Sequence, residues 1–575
     1  MYCRAIACDF DGTGAADGRL LPEVAAALAK ARSQGYLTLL VTGRVLEDIQ
    51  WLCGDHSIFD AIVAENGAVV WLRQTQRMIT LGVPPPDYFL GELRRRGVPF
   101  HTGAVIVSTW DKHLVDVAEL IRRFGIDCQI SFNRTSLMLL PSGINKATGV
   151  RRALEELGRS ERNLLAFGDA ENDIPLLSAA EVGVAVRGSV EALAAAADVR
   201  LSQSGGAGVA EFIHRVIEQG GFIPTPARRA ISVGDTEKGQ TVRIPASGIN
   251  IMVCGDPRSG KSWLAGLLAE QLLEQGYGLC ILDPEGDYVA LSQRPKTVLL
   301  GQDIALPSPG ALCRLLRDDA LSFILNLSSL SLKDQCAYVG CVLSALDSER
   351  AASGMPHWVL IDEAHYFFSG ASAALPALDR SGNFIFVTYR PSMITDDICA
   401  KVGAYLITGS KIEEERYFLT KLLQARAPAD LIPHEALMEL EPPRAGLLLD
   451  GAAGPQWQVF VPRERITGHV HHARKYADTL LPSDKAFYFL YTNGAGTVVA
   501  RSVKEFYRAV QTVPQASLRH HLLAGDFSRW FALVLGDEKV ASGLRKIEKV
   551  TPNMGLPCRE HILAYIEGQY RIDPD

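Results

Sequence analysis

The apolar segment YCRAIACDF runs into two aspartates, Asp9 and Asp11, and then at once into a glycine. Residues two apart on an extended strand point the same way, so both carboxylates are expected at one strand end, with Gly12 letting the chain turn beneath them. From Pro22, EVAAALAKARSQG carries apolar residues at helical spacing and stops at Gly35, after which YLTLLVTGR reads as a second buried strand. This alternation predicts an α/β unit with a mostly parallel sheet covered on both faces. Ligand sites in such sheets collect at the carboxyl ends of the strands.

Three further segments supply chemistry at those ends. FGDAEND follows an apolar strand and offers Asp169, Asn172 and Asp173; VTGR offers the Thr42 hydroxyl; GINKATG offers Lys146. Carboxylates gathered in one place repel unless a cation offsets them, and an all-oxygen set suits Mg2+. The expected division of labour makes Asp9 the nucleophile toward phosphorus and Asp11 the proton donor to the leaving oxygen and later the base for water. Thr42 and Lys146 hold the phosphoryl oxygens, and Asp9, Asp11, Asp169 and Asp173 form the metal set. Arg44, Asn66, Asn133 and Arg134 are weaker candidates for substrate contact.

A chain of 575 residues exceeds one ordinary core, so several units are expected. Between about Val70 and Leu140 the strand–helix rhythm lapses around Pro84, Pro85 and Pro86, which reads as an inserted cap. FIPTPARR reads as a linker, and GHVHHARKYADTLLPSDK marks a second change of texture. The expected units are 1–222, 223–465 and 466–575. A formal charge of −7 argues against a general nucleic-acid-binding surface, and no apolar stretch reaches the roughly 18 residues that a membrane span requires. Eleven cysteines without a CxxC pair fit reduced side chains, and the chain reads as cytoplasmic with no membrane partner.

In the second unit NIMVCGDPRSGKSWLAGLLAEQLLEQG forms strand, glycine-rich turn and helix. Gly255, Asp256, Pro257, Arg258, Ser259 and Gly260 make the turn, whose backbone amides suit nucleotide phosphates. Lys261 reaches their oxygens, and Ser262 reaches Mg2+. HWVLIDEAHYFF places Asp362 near that metal and Glu363 where it can activate water. The strand FIFVTYR ends with Thr388, in position to sense a γ-phosphate, and Arg390, in position to contact nucleotide or a neighbouring subunit. Asp283, Glu285 and Asp287 of ILDPEGDY read as a strand end and surface turn.

The last unit shows two strands, KAFYFLYT and TVVARSV, followed by helices, an α+β pattern. Phe487, Tyr488, Phe489 and Tyr491 read as a packing face before a base-stacking one. His471 with His472 and His520 with His521 are adjacent pairs whose spacing reveals no zinc partners.

At DFDGT, VTGR, Lys146 and GDAEND the sequence resembles the haloacid dehalogenase-like hydrolases, in particular the Cof-type sugar-phosphatase branch, over about Met1 to Gly220. The resemblance implies a Rossmann-like phosphatase with an α/β cap and an aspartyl-phosphate on Asp9. GDPRSGKS, ILDPEGDY, VLIDEAH and VTYRP resemble the HerA/FtsK branch of P-loop ATPases over about Ile231 to Val461. That implies a RecA-like unit that uses ATP and assembles as a homo-oligomer. The expected function is hydrolysis of a small phosphorylated metabolite beside an ATP-hydrolysing regulatory or assembly unit. The alternatives are a nucleic-acid-processing ATPase with terminal phosphatase activity and a nucleotide-controlled scaffold without catalysis.

Overall fold

The computed structural model describes residues 3–53, 56–133, 135–204, 206–221, 223–301, 304–319, 321–369, 382–428, 437, 440–451, 454–468, 481, 483–490, 497–535, 537–554 and 558–570. Arg134, His471, His472 and Tyr491 lie outside them.

The first sheet has eight strands. In spatial order they are Val199–Ser204, Val182–Arg187, Leu164–Gly168, Ala5–Asp9, Leu37–Val41, Ala61–Ala64, Val69–Leu72 and Arg77–Thr80. The first six are parallel and the last two antiparallel. Ala5–Asp9 is buried along its whole length because helices cover both faces. Pro22–Ser33 and Gly206–Glu218 pack on one side, and Lys146–Glu156 and Ile174–Ala179 on the other.

The cap is a separate antiparallel sheet, ordered Cys128–Asn133, Ser136–Pro141, Val107–Trp110 and His101–Thr102, with helices Asp87–Arg95 and Leu114–Phe124 over its outer face. It therefore starts later than the expected Val70. Val69–Leu72 and Arg77–Thr80 extend the main sheet by antiparallel pairing. The outer strand is mostly exposed, so it lacks the apolar run that marks a central strand.

The second sheet has eleven strands. Seven neighbouring parallel strands, Ala404–Ile407, Ile251–Cys254, Phe384–Thr388, Trp358–Ile361, Leu279–Asp283, Ser322–Asn326 and Thr297–Leu300, form its centre. Antiparallel strands extend it through Ala445–Gly451 and Gly454–Pro462. The helix Lys261–Glu274 packs on one face, and Leu332–Ser353 and Glu413–Gln424 on the other. Asp283 is not in a surface turn: it is buried and accepts from the backbone N–H groups of Gly286, Asp287 and Tyr288. Burial, then Asp287, pushes its pKa up to about 6.

The last unit pairs Phe487–Leu490 with Thr497–Ala500 against helices that include Val503–Thr512, Gln515–Ala524 and Glu538–Met554. Phe487 and Phe489 face the core, and Phe506 stacks on Trp530 at 5.2 Å between centroids. Tyr488 and Leu490 point outward. Among the described residues no helix is long and apolar enough to cross a membrane.

The linker is bonded to the first unit. Arg228 and Arg229 donate to the carbonyls of Ser178 and Ala180. Buried Glu181 accepts from Arg162, from the Tyr277 hydroxyl at 2.8 Å and from Ser247 at 3.1 Å, so one carboxylate ties residues of both units together. Beside it His357 is fully enclosed. Its Nδ1 accepts from Gly278 N–H at 2.7 Å, which leaves Nε2–H to donate to Asn163 Oδ1 at 3.0 Å.

That arrangement requires neutral imidazole, and burial, helped by Arg162 and Arg350, pushes the His357 pKa down to about 3. A histidine whose folded pKa lies below its ordinary 6.5 gains a proton on unfolding, so stability is lost as pH falls below that value. Thermal unfolding scanned from about pH 7.5 to about pH 5 is expected to show stability falling by up to about 1.4 kcal/mol per pH unit below the unfolded pKa. His357→Gln should flatten that dependence, and an unchanged slope in the variant would remove His357 as its source.

Candidate functional site

The strand Ala5–Asp9 ends with the carboxylate of Asp9 buried between its neighbours' strand ends. Asp169 and Asp173 come from the loop after Leu164–Gly168, the adjacent parallel strand. Carboxylate oxygens of Asp9, Asp169 and Asp173 all lie within 4.8 Å of one another. Lys146 Nζ donates to Asp9 Oδ1 at 2.5 Å and to Asp173 Oδ1 at 2.6 Å, and all three side chains are buried. Burial opposes the Lys146 charge, but Asp173 and Asp9 outweigh it, so its pKa stands above the ordinary lysine value. For Asp9, burial first and Asp173 second raise the pKa well above the usual carboxylate range, against the lowering by Lys146.

Three buried carboxylates facing one ammonium leave an excess of negative charge, and their all-oxygen donor set fits a small hard cation such as Mg2+. Backbone N–H groups of Asp169 and Ala170 hold the other oxygen of Asp173. The Thr13 hydroxyl donates to Asp169 Oδ1 at 3.3 Å. Gly12, at φ 82°, makes room for this loop, since a Cβ there would stand 2.4 Å from Asp169 Oδ2.

Asp11 departs from the expected placement. The strand stops at Asp9, so the two-residue parity no longer applies, and the Asp11 carboxylate turns to the Arg44 guanidinium in a bidentate pair, 2.7 Å on each arm. It lies outside the carboxylate cluster of Asp9, Asp169 and Asp173. Thr42 is buried at the end of Leu37–Val41, and its hydroxyl accepts from Arg44 N–H.

Residues 65–67, passed over in the sequence apart from Asn66, organise the approach to the site. Glu65, Asn66 and Gly67 all have positive φ, at 51°, 55° and 102°. The Glu65 carboxylate is buried and accepts from the backbone N–H groups of Ala104, Val105 and Ile106, the chain entering the cap. The Asn66 amide donates to Ser131 of the cap at 3.2 Å and accepts from Asn172 at 3.1 Å. A Cβ on Gly67 would meet the Asn145 carbonyl at 1.9 Å, so only glycine lets the Lys146 helix start there. That start is a reciprocal capping box between Asn145 and Thr148. The one local signal for this turn was the string ENG between two apolar strands.

In the second unit the turn from Gly255 to Gly260 uses positive φ at Gly255, Arg258 and Gly260. Lys261 and Ser262 begin the helix and are buried. Lys261 Nζ donates to the Asp256 carbonyl at 2.8 Å. The Asp256 carboxylate accepts from the N–H groups of Lys411 and Ile412, so it braces the turn and does not line it. Pro257 sits half-buried in the same turn. Ser259 pairs with Thr408, and Arg258 donates to the Val534 carbonyl of the last unit. Asp362 and Glu363 end the strand Trp358–Ile361, both buried, with Glu363 in the left-handed region at φ 45°. His365, unremarked in the sequence, lies between Glu363 and Thr388: its Nδ1 is 3.6 Å from Glu363 Oε2 and 3.1 Å from the Thr388 hydroxyl. Arg390 stacks over Tyr389 at 5.4 Å. Asn133 lies in the cap strand Cys128–Asn133. His521 is spoken for: Nε2 accepts from Leu490 N–H, and Nδ1 donates to Asp526 at 2.8 Å.

Comparison with known proteins finds a family for each of the first two units. Residues 6–81 and 104–213 match the family of haloacid dehalogenase-like hydrolases, and residues 255–353 match the central domain of the helicase HerA. A phosphoglycolate phosphatase of Methanothermobacter thermautotrophicus is 31% identical over 218 residues, which cover 98% of that protein and 37% of this chain. The phosphoglycolate phosphatases of Methanosarcina acetivorans (28% over 229 residues, 100% of that protein and 39% of this chain) and Sulfurisphaera tokodaii (25% over 223 residues, 95% and 37%) are similar over the same part.

Glu65→Ala should leave the N–H groups of Ala104, Val105 and Ile106 without their acceptor, at about 1–3 kcal/mol for each of the two buried ones, Val105 and Ile106, that finds no substitute. Hydrogen exchange at Ala104–Ile106 is expected to accelerate while the strand Ala5–Asp9 stays protected. Unchanged protection at the cap entry would show that Glu65 does not hold it.

Proposed function

The chain belongs to the haloacid dehalogenase-like hydrolases, fused to a HerA/FtsK-like P-loop ATPase unit, and from that premise we propose that it is a Mg2+-dependent phosphatase of a small phosphorylated metabolite, working beside an ATP-hydrolysing regulatory or assembly unit. The observation that carries the reading is Lys146 held between Asp9 and Asp173 with Asp169 alongside. A nucleophile, a fixed positive charge and a cation-binding set side by side are what this chemistry requires, and the buried cluster supports that reading.

In this reading an Asp9 oxygen forms a bond to phosphorus as the bond to the leaving oxygen breaks. Asp11, partly exposed, would part from Arg44, take a proton from solvent and give it to that oxygen. It then takes a proton from the water that attacks the aspartyl-phosphate and restores Asp9. Lys146 and the Thr42 hydroxyl hold the phosphoryl oxygens. Asp9, Asp169 and Asp173 would hold Mg2+, which supplies charge neutralisation between the carboxylates and the phosphoryl group. The cap, tied through Asn66 and Ser131, excludes water during transfer.

In the second unit the amides of Gly255–Lys261 and the Lys261 ammonium would hold the phosphates of ATP. Ser262 and Asp362 would hold its Mg2+. Glu363 orients the attacking water, and His365 connects it to Thr388, which reports on the terminal phosphate. Arg390 is the group suited to a neighbouring subunit in a homo-oligomer. The names of the relatives make 2-phosphoglycolate the first substrate to test, followed by sugar phosphates.

With each purified variant assayed for both activities, Asp9→Asn should abolish phosphate release from metabolites and leave ATP hydrolysis in place. Lys261→Ala should do the reverse, and Asp11→Asn should slow the phosphatase by about 10²–10⁴-fold. Full phosphatase turnover in Asp9→Asn would overturn the nucleophile assignment.

A further inference from the structure

Away from both reaction centres, a cleft of about 380 Å³ lies between the first two units, within the range of about 300–1,000 Å³ typical of small-molecule sites. Its position follows from two helices. The one that begins at Lys146 runs to Glu156 and is followed by Gly158 at φ 63°. The one that begins at Lys261 runs to Glu274 and is followed by Gly276 at φ 83°. Gly158 and Gly276 both line the cleft. Each helix thus starts at a phosphate site and ends at the same cavity, a span of about 16 Å for the first and about 21 Å for the second at 1.5 Å per residue.

Basic side chains on the walls outnumber acidic ones. Arg151, Arg159, Lys296 and Arg317 line the cleft against only Glu155 and Glu161. Arg151 pairs with Glu161 at 3.2 Å and Arg317 with Glu349 at 3.0 Å. Among the described residues no carboxylate stands within ion-pair distance of Arg159 or Lys296. With Glu349 counted beside the Arg317 it pairs, one excess cation remains, which the two helix ends, at about half a negative charge each, roughly offset, so the basic character is local to Arg159 and Lys296.

Arg159 is half-buried. One arm donates to the Gly158 carbonyl at 3.0 Å, while its Nε is enclosed with no acceptor. Burial holds its pKa below the ordinary arginine value, and Arg4 and Arg317 push the same way against Glu349. Lys296 sits at φ 57° with its carbonyl fixed by Ser322 N–H at 2.8 Å, a conformation that costs a non-glycine residue on the order of 1–3 kcal/mol. Leu273, Pro295 and Met355 supply an apolar wall.

We propose that this cleft binds a small phosphate-bearing effector, whose phosphate is held by Arg159 and Lys296 and whose organic part rests on Leu273, Pro295 and Met355. The effector touches the ends of both lysine-bearing helices, so its site is shared by the phosphatase and ATPase units and belongs to neither reaction.

The test uses full-length protein carrying Asp9→Asn and Lys261→Ala, so that neither reaction centre turns over or holds phosphate normally. Inorganic phosphate and 5′-AMP are titrated in by calorimetry at low salt. Saturable binding of at least one probe is expected, weakened at least tenfold by Arg159→Ala and by Lys296→Glu, the second lying on the surface where folding is insensitive to it. Arg159→Lys should recover part of the affinity. No binding of either probe at millimolar concentration would overturn the proposal, as would equal affinity with and without Lys296→Glu.

Discussion

Everything at the first site depends on one buried ammonium placed among three carboxylates. At an effective dielectric of 20, two unit charges 4 Å apart interact by about 4 kcal/mol, so the arrangement of Asp9, Asp169 and Asp173 is unfavourable on its own. Lys146 offsets part of it by bonding two of the three at once. Backbone amides from the Asp169 loop offset more by holding the far oxygen of Asp173. The negative charge that remains makes the cluster receptive to a cation, and the proton affinity of Asp9 is raised first by burial and then by Asp173.

The position of that ammonium is set by a turn in another part of the chain. Glu65, Asn66 and Gly67 form three consecutive left-handed residues, and the first two hold a conformation that costs roughly 1–3 kcal/mol each. Each residue has a separate use. Glu65 grips the strand entering the cap, Asn66 reaches both the cap and the Asp173 loop, and Gly67 admits the Asn145 carbonyl at the head of the Lys146 helix. Cap, metal loop and lysine helix are therefore registered against one strained turn, and a shift in any of them is felt by the other two.

Which parts of this were legible in the sequence follows from what each residue relies on. Asp9, Thr42 and Asp169 stand at ends of strands whose apolar runs announce a buried parallel sheet, and adjacent parallel strands bring their ends together without further information. Lys146 was legible in GINKATG as a charge for phosphoryl oxygens, while its place at a helix start behind Asn145 came from the structure. The direction of Asp11 was not legible, because it depends on the strand stopping at Asp9, two residues before it. Glu65 was hidden for a different reason: its partners are backbone amides some 40 residues away, which leave no mark on side-chain pattern. The cap boundary was misplaced because Arg77–Thr80 is an exposed edge strand that pairs antiparallel. His365 stood in plain view beside Glu363, but its use depends on Thr388 arriving from a neighbouring strand.

The two lysines differ in what each must release before it can hold a phosphate. Lys146 is committed to two buried carboxylates, and breaking a buried ion pair by removing one partner costs about 3–5 kcal/mol. It therefore stays in place and the phosphoryl group must come to it. Lys261 donates to a neutral carbonyl, Asp256 O, a bond worth about 0.5–1.5 kcal/mol net. It also lies over the Tyr389 ring, 5.9 Å from its centroid, and a phosphate oxygen offers it a charge-assisted bond roughly twice as strong as a neutral one. Charge between Asp9 and Asp173 thus fixes the first lysine, whereas the second rests in part on the backbone of its own loop.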